Sequence, residues 1–111
     1  MLVRIWRVKI HPDRIEDLEA FAQAESTPMF RAQPGCLGVL FTRSGLECLT
    51  ISLWDSAESV ERLRSSPSYD ETVRRIEASG ILDGGHKIEL LESFGGFLDL
   101  RAAARALGQI R

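Results

Sequence analysis

The sequence predicts one α+β domain in which helices cover one face of an antiparallel four-stranded sheet. Three observations support this. The chain has 111 residues, close to the commonest domain length. Segments that alternate apolar and polar residues are separated by segments with apolar residues at helical spacing. A turn signal at Ser44-Gly45 joins the two central strands as a hairpin. The predicted order is strand, helix, strand, strand, helix, strand, then a helical tail.

The first strand is predicted over residues 2–10. Val3 and Ile5 fall on one face of it, and Trp6 and Val8 fall on the other. Because successive side chains of a strand point to opposite faces, this pattern indicates a strand with both faces partly buried.

The first helix is predicted to begin after Pro12. Asp13 and Glu16 have the spacing of a capping box, and apolar residues follow at helical intervals. Pro28 should end or kink this helix near Thr27, since proline lacks the backbone N–H that the helix requires.

The second and third strands form the predicted hairpin, over about residues 37–43 and 46–54. The turn "QPGCLG" precedes the first of them, and the hairpin register places Arg43 opposite Leu46. In this register the sulfurs of Cys36 and Cys48 lie on opposite faces of the sheet. We therefore expect two free thiols and no disulfide, and neither cysteine has the spacing of a metal site.

The second helical region begins at Asp55 and Glu58, which together form a helix-start signal. Ser66-Pro67 restarts the helix, because proline is tolerated at a first helical position. The inward faces of the two parts are predicted to carry Ala57, Val60, Leu63, Tyr69, Val73 and Ile76.

The C-terminal part contains the last strand and a tail. Gly80 is the predicted helix end, and "HKIELLESF" is the fourth strand. The complete order is the ferredoxin-like split βαβ pattern in one copy, over residues 1–96. Residues 97–111 form a separate amphipathic tail with little of its own to pack against.

Composition excludes several function classes. Charged residues make up 27% of the chain, and the net charge of −2 is spread over mixed acids and bases. This balance provides no basic footprint for nucleic acid and no polybasic membrane anchor. The N-terminus is interrupted by Arg4, Arg7 and Lys9, so it does not resemble a signal peptide. We expect a cytoplasmic protein with neither nucleic-acid nor membrane partners.

One face of the hairpin is aliphatic and predicts a homodimer. Helices in this fold cover only one side of the sheet, so the other side would expose a row of large apolar residues to water. A second copy of the same sheet is the simplest cover. The residues of this predicted contact are Leu40, Leu49, Ile51 and Leu53.

Three segments carry a family resemblance. The stretches "PGCLGVLFTRS", "ISLWDSAESV" and "SSPSY" resemble the antibiotic biosynthesis monooxygenase family, and the likeness covers about residues 2–94. The resemblance implies a dimeric α+β barrel with a cavity between the sheet and the helices of each subunit. Members of that family include cofactor-independent oxygenases that act on polyphenolic aromatics, haem-degrading enzymes, and small proteins of unassigned role.

Three residues are candidates for catalysis. Trp54 matches the family's pocket tryptophan, although a core tryptophan that caps the strand is the competing interpretation. Tyr69 could supply a phenolic proton or stabilise an oxyanion, and Arg74 could neutralise a developing phenolate. The alternatives are a packed tyrosine and a solvated arginine. We expect Trp54 to border the cavity, because its same-face neighbours Ser52 and Thr50 are polar.

Substrate-binding candidates are Trp6, Phe41, Thr50, Ser52 and Arg64. Trp6 falls near the position where haem-degrading relatives place an asparagine, and Arg64 falls where they carry the iron-ligating histidine. Arginine cannot ligate haem iron, so haem degradation is disfavoured. We expect no cofactor and no metal.

The predicted function is that of a cofactor-independent monooxygenase that oxidises a small apolar or aromatic compound with dioxygen. The mechanism that the resemblance implies is deprotonation of a phenolic or enolisable substrate, whose anion reacts with dioxygen. The alternative is a non-catalytic dimeric module that binds a small ligand or a partner protein. No general base can be identified among the residues that the patterns place.

Overall fold

The structure, a computed structural model, describes residues 1–109. It is an α+β ferredoxin-like fold, as predicted, with the strand order β2-β3-β1-β4 and every neighbouring pair antiparallel. The strands are β1 Leu2–Lys9, β2 Cys36–Ser44, β3 Glu47–Trp54 and β4 Lys87–Glu92. The helices are α1 Ile15–Phe21, α2 Thr27–Arg31, α3 Ala57–Arg64, α4 Pro67–Ala78 and α5 Leu100–Ala106.

The first helical region differs from its prediction at both ends. It opens with a 3-10 turn, Pro12–Arg14, that has no side-chain cap, so the predicted capping box does not form. Pro28 does not end it, because a π-helical segment, Ala22–Ser26, leads directly into α2. The wider turn accommodates the proline: the Ala22 carbonyl accepts hydrogen bonds from both the N–H and the hydroxyl of Thr27.

The start of α3 is capped by serine. Ser56 Oγ accepts a hydrogen bond from the N–H of Ser59, which satisfies one of the free donors at the helix start. Asp55, predicted to be the start signal, instead accepts hydrogen bonds from the hydroxyls of Ser56 and Ser59 at 3.0 and 2.6 Å. Val60 and Leu63 are buried as predicted, whereas Ala57 is exposed.

The "PG" turn before β2 requires glycine for two reasons. Gly35 has φ of 80°, a conformation that residues with a Cβ rarely adopt. A Cβ on Gly35 would also collide with the hydroxyl of Ser59 on α3. The turn therefore packs directly against the start of α3, and Gly35 O accepts the N–H of Asp55.

The hairpin register is shifted by two residues from the prediction. Arg43 pairs with Cys48, and the two-residue loop consists of Gly45, with φ of 59°, and Leu46. A register shift of two residues does not by itself move a side chain to the other face. An irregularity at Leu37 turns Cys36 to the helix side, opposite Trp54, so the prediction that the two cysteines occupy opposite faces was wrong. Both cysteines are free.

The two faces of the sheet differ in cover. The helices cover the face that carries Arg4, Trp6 and Val8 of β1, and these residues are buried. The opposite face has no cover within the described chain. Its central apolar residues are half-buried or exposed: Val3, Ile5, Leu40, Leu49, Ile51 and Leu53.

The C-terminal tail forms α5, whose start is capped by Asp99 Oδ1 accepting the N–H of Ala102. No residue of α5 is buried. Ile110 and Arg111, the end of the predicted tail, lie outside the described residues. Within residues 1–109, no helix is long and apolar enough to cross a bilayer.

Candidate functional site

A cavity of about 360 Å³ lies between the sheet and the helices. This volume is at the lower end of the range of about 300–1,000 Å³ found for small-molecule sites. β1, β2 and β3 form its floor, and α1, the π-helical segment, α2 and α4 form its roof and sides. Most of its wall is apolar, including Trp6, Phe21, Met29, Phe30, Phe41 and Val73.

Arg4 and Tyr69 supply the central polar groups of the cavity. Arg4 lies on β1 and is only 1% exposed. Its Nη2 donates a hydrogen bond of 2.6 Å to the Tyr69 hydroxyl, and its guanidinium carbon lies 5.1 Å from the centre of the tyrosine ring. The tyrosine oxygen accepts from a cation, so its own proton is free to donate elsewhere.

Two buried donors in the cavity wall lack acceptors. Arg4 Nη1 and Trp6 Nε1 have no hydrogen-bond partner among residues 1–109. Both side chains line the cavity. Buried polar groups in folded proteins are nearly always paired, so two unpaired donors in one wall distinguish this region from ordinary core.

The mouth of the cavity is marked by lining residues that are exposed. These are Glu19 on α1 and Phe41, Thr42 and Arg43 on β2. The mouth thus brings one carboxylate and one guanidinium to the entrance of an apolar chamber.

A second, more open depression of about 370 Å³ adjoins the cavity, between α4, β1 and β4. The two spaces share Arg4, Tyr69 and Val73. Arg64 and Arg74 line only this second depression. His86 also lines it, and its ring lies 5.2 Å from that of Trp6.

Trp54 does not line the cavity, which corrects our expectation. It is 0% exposed and packs with Met29, Phe30, Val60 and Leu63. Its Nε1 donates a 2.8 Å hydrogen bond to the buried hydroxyl of Ser52. The polar neighbour that suggested a pocket instead satisfies the indole inside the core, so Ser52 is not at the cavity either.

The candidate residues are therefore divided among three places. The structure brings Trp6, Phe41, Thr50 and Tyr69 together in the cavity wall. Arg64 and Arg74 lie beyond the Arg4–Tyr69 pair, in the second depression. Ser52 and Trp54 belong to the core.

Among the lining residues that sequence reasoning did not name as site residues, Arg4 and Glu19 carry charges that bear on function. Arg4 had a readable signal: it shares the buried face of β1 with Trp6 and Val8, so strand alternation already places a charge there. A charge on a buried face needs a partner. Glu19 had no such signal, because an acidic residue on an exposed helix surface is ordinary.

The surroundings of both cysteines disfavour the thiolate form. Burial raises the pKa of the Cys48 thiol, which lines the cavity, and hydrogen bonding from Thr50 only partly opposes this. Burial likewise raises the pKa of Cys36. A raised pKa favours the thiol over the thiolate, which is the reactive form. Among residues 1–109, no three His, Cys, Asp or Glu side chains cluster in a way that could hold a metal ion.

Solved structures with the same fold include oxygenases. The monooxygenase ActVA-Orf6 of Streptomyces coelicolor, in complex with nanaomycin D, matches with a TM-score of 0.76 and 19% identity, over 87% of this chain and 90% of that chain. SnoaB, a cofactor-independent oxygenase from Streptomyces nogalater, matches with a TM-score of 0.68 and 16% identity, over 86% and 94% of the two chains. Rv0793 from Mycobacterium tuberculosis matches with a TM-score of 0.69 and 24% identity, over 86% and 96%.

Sequence comparison identifies the family. No curated protein sequence matches the chain. The family described as antibiotic biosynthesis monooxygenase matches residues 1–75, which is more than half of the chain and contains β1 to β3, α3 and most of α4. The protein therefore belongs to the antibiotic biosynthesis monooxygenase family.

Proposed function

We propose that this protein is a cofactor-independent monooxygenase that oxidises a small apolar, aromatic compound with dioxygen. The observation that carries the proposal is the cavity, whose wall is mostly aromatic and aliphatic with a few polar groups, in a chain of this family. Such a chamber holds a flat apolar ligand and excludes bulk water. Two of the solved structures that share the fold are oxygenases, which also supports the proposal.

The proposed reaction converts a ring CH₂ flanked by electron-withdrawing groups, or the equivalent phenol, into a carbonyl. Deprotonation gives a carbanion that is stabilised as an enolate or phenolate. Electrons pass from it to dioxygen, and a carbon–oxygen bond forms to give a peroxide. The peroxide takes up a proton, and loss of water from the hydroperoxide leaves C=O. One dioxygen is consumed, with one oxygen atom in the product and one in water.

Tyr69 is the proposed proton donor to the peroxide or to a developing oxyanion. The bond from Arg4 orients its hydroxyl at the cavity wall. Positioned proton donors typically contribute about 10²–10⁴-fold to a rate. We expect Tyr69→Phe to lower kcat by about 10²-fold or more with little change in ligand affinity. An unchanged kcat would remove Tyr69 from the reaction.

The two tryptophans allow a direct test of where ligand binds. Aromatic compounds should be screened by tryptophan fluorescence, and any compound that binds should then be tested for oxygen uptake. Trp6 lines the cavity and Trp54 does not, so ligand should quench the fluorescence of Trp54→Phe. Ligand should have much less effect on Trp6→Phe. If quenching is lost in Trp54→Phe but kept in Trp6→Phe, the ligand does not bind beside Trp6 in the cavity.

A non-catalytic ligand-binding module is the second candidate. It is favoured by the position of Glu19, the one carboxylate among the described cavity residues, which is exposed at the mouth and not inside. The two candidates differ in one measurement. Binding of phenolic ligands without oxygen uptake or product, across the whole panel, would favour the module.

We further propose a homodimer formed through the open face of the sheet. Leu40, Ile51 and Ile5 lie side by side across three strands there. Beside them, Arg7 pairs with Glu47 at 2.8 Å, which gives this apolar patch a polar margin. Burying such a patch in a symmetric contact removes it from water.

Sedimentation at low micromolar concentration tests the dimer. Ile51→Asp should shift the protein to monomer, because an unpaired charge is costly to bury. Leu46→Asp is the matched control, since Leu46 lies in the exposed hairpin loop, and it should remain dimeric. A wild-type monomer would contradict the proposal.

A cytoplasmic location is also proposed, since both cysteines are free thiols, as is usual in a reducing compartment.

A further inference from the structure

Arg4 occupies an unusual position for a charged residue. It lies in the middle of the sheet, on β1, between Ser52 of β3 and Leu90 of β4. Its side chain points to the helix-covered face, where it is 1% exposed. Arginine stays protonated under all ordinary conditions, so a full positive charge lies inside the domain.

The protein does not neutralise this charge within residues 1–109. None of the ion pairs there includes Arg4. Its one hydrogen-bond acceptor is the neutral Tyr69 hydroxyl, and Nη1 has no partner. Burying an unpaired charge costs several kcal/mol, and folded proteins normally avoid it.

Trp6 adds a second unpaired donor on the same strand face. Arg4 and Trp6 are two residues apart on β1, so their side chains point the same way, about 7 Å apart along the strand. Trp6 Nε1 is buried and also lacks an acceptor among the described residues. The indole can only donate, so what is missing at both positions is an acceptor.

We infer that the cavity binds its aromatic ligand as an oxyanion, with the negative oxygen on Arg4 Nη1 and a second acceptor of the ligand on Trp6 Nε1. This inference rests on the proposed function for the aromatic class of the ligand. The apolar wall of the cavity contacts the ring, and the two unpaired donors select the ionised form of the ligand.

Oxyanion binding also explains how the substrate loses its proton without a strong base in the chamber. A cation that holds the ionised form lowers the pKa of the bound ligand. The proton then leaves to solvent or to Glu19 at the mouth. The anion that remains is the electron-rich species that reacts with dioxygen.

The test uses para-nitrophenol, whose hydroxyl ionises near neutral pH and whose phenolate is yellow. Its methyl ether, para-nitroanisole, is the matched ligand that cannot ionise. Wild-type protein should bind the phenolate about 10- to 100-fold more tightly than the ether, as expected for one charge-assisted hydrogen bond. The pKa of bound nitrophenol should accordingly be lower by about 1 to 2 than in solution. Equal affinity for the two compounds, with no change in that pKa, would overturn the inference.

Other ionisable groups surround the cavity, and they are present in the binding measurements with both ligands. They are Glu19, Arg43, Cys48 and Tyr69 in its wall, with His86 behind Trp6. Because nitrophenol and nitroanisole are measured at the same pH values, effects of these groups on the protein alone cancel in the comparison.

Two variants assign the effect to Arg4. Arg4→Met should abolish the preference for the phenolate, whereas Arg4→Lys should retain part of it. Arg31→Met is the control, since Arg31 is an exposed arginine on α2 that lines neither space, and it should bind as the wild type does. A phenolate preference that survives in folded Arg4→Met would contradict the inference. The comparison of phenolate and ether binding to the wild-type protein tests the inference even if no variant folds.

Failure of this inference is distinguishable from failure of the proposed function. Oxygen uptake with equal binding of phenolate and ether would leave the monooxygenase proposal in place and remove oxyanion binding. A strong preference for the phenolate, without oxygen uptake for any phenolic compound, would remove the monooxygenase proposal and leave oxyanion binding in place.

Discussion

Trp6 and Trp54 lie on the same face of the sheet, and both are buried, at 7% and 0% exposure. Trp54 is closed in on all sides, with Phe30 edge-on at 6.4 Å and its N–H bound to Ser52. Trp6 lines the cavity, and its N–H has no acceptor among the described residues. Burial alone therefore does not distinguish the core from the candidate site in this domain. The two regions differ in whether their buried polar atoms have hydrogen-bond partners.

The largest difference between the two regions should appear on truncation. Trp54→Ala removes a side chain from close-packed core and should lower the free energy of unfolding by about 3–5 kcal/mol. Trp6→Ala should cost roughly half as much, because one side of Trp6 already faces a cavity and loses fewer contacts. Urea unfolding of the two variants measures both values. Equal losses would mean that the region around Trp6 is as well packed as that around Trp54.

A second pair of substitutions, with smaller expected effects on stability, compares a buried polar group that has a hydrogen-bond partner with one that lacks a partner. Ser52→Ala leaves the Trp54 N–H buried without its acceptor and should cost about 1–3 kcal/mol. Arg4→Met removes an uncompensated buried charge and should be neutral or stabilising, since apolar replacements of buried ions often are. Thermal unfolding in the absence of ligand compares them. A large loss in Arg4→Met would show that the chain itself compensates this charge.

The smallest expected effect concerns Asp55, which follows Trp54. Hydrogen bonds from Ser59 and Ser56 hold the pKa of its carboxyl below the ordinary value of 3.8. A lowered folded-state pKa stabilises the protein at pH above that ordinary value, and the contribution is lost as pH falls through the folded-state pKa. The difference in Tm between wild type and Asp55→Asn should therefore shrink as the solution is acidified below about pH 4. A difference that does not change with pH would contradict this.

Much of the fold could be predicted because its signals are local. The alternation of residues in β1 and β3 assigned their faces correctly. The two-residue error in the hairpin register did not change these assignments, because side chains return to the same face every two residues. The helix restart at Ser66-Pro67 was also correct. Pro28 does not end the helical region, which was one of its two predicted effects, because a π-helical turn before it accommodates the ring.

The candidate site was only partly predictable. Tyr69, Trp6, Phe41 and Thr50 line the cavity, and the catalytic or substrate-binding roles predicted for them stay predictions. Trp54 was misplaced because a polar neighbour on a strand is equally compatible with a pocket and with a satisfied hydrogen bond. Only the position of the Ser52 hydroxyl, 2.8 Å from the indole nitrogen, distinguishes the two.

The sequence by itself determined the order of strands and helices, the faces of the sheet, and the presence of a charge at position 4 on the buried face. These properties depend on residues two to four positions apart. Tertiary structure alone decided which buried polar groups are satisfied. Arg4 contacts Tyr69 from 65 positions away, and its second nitrogen is left free at the wall of a cavity. Hydrogen-bond partners so distant in sequence have no fixed spacing, so no periodic pattern encodes them.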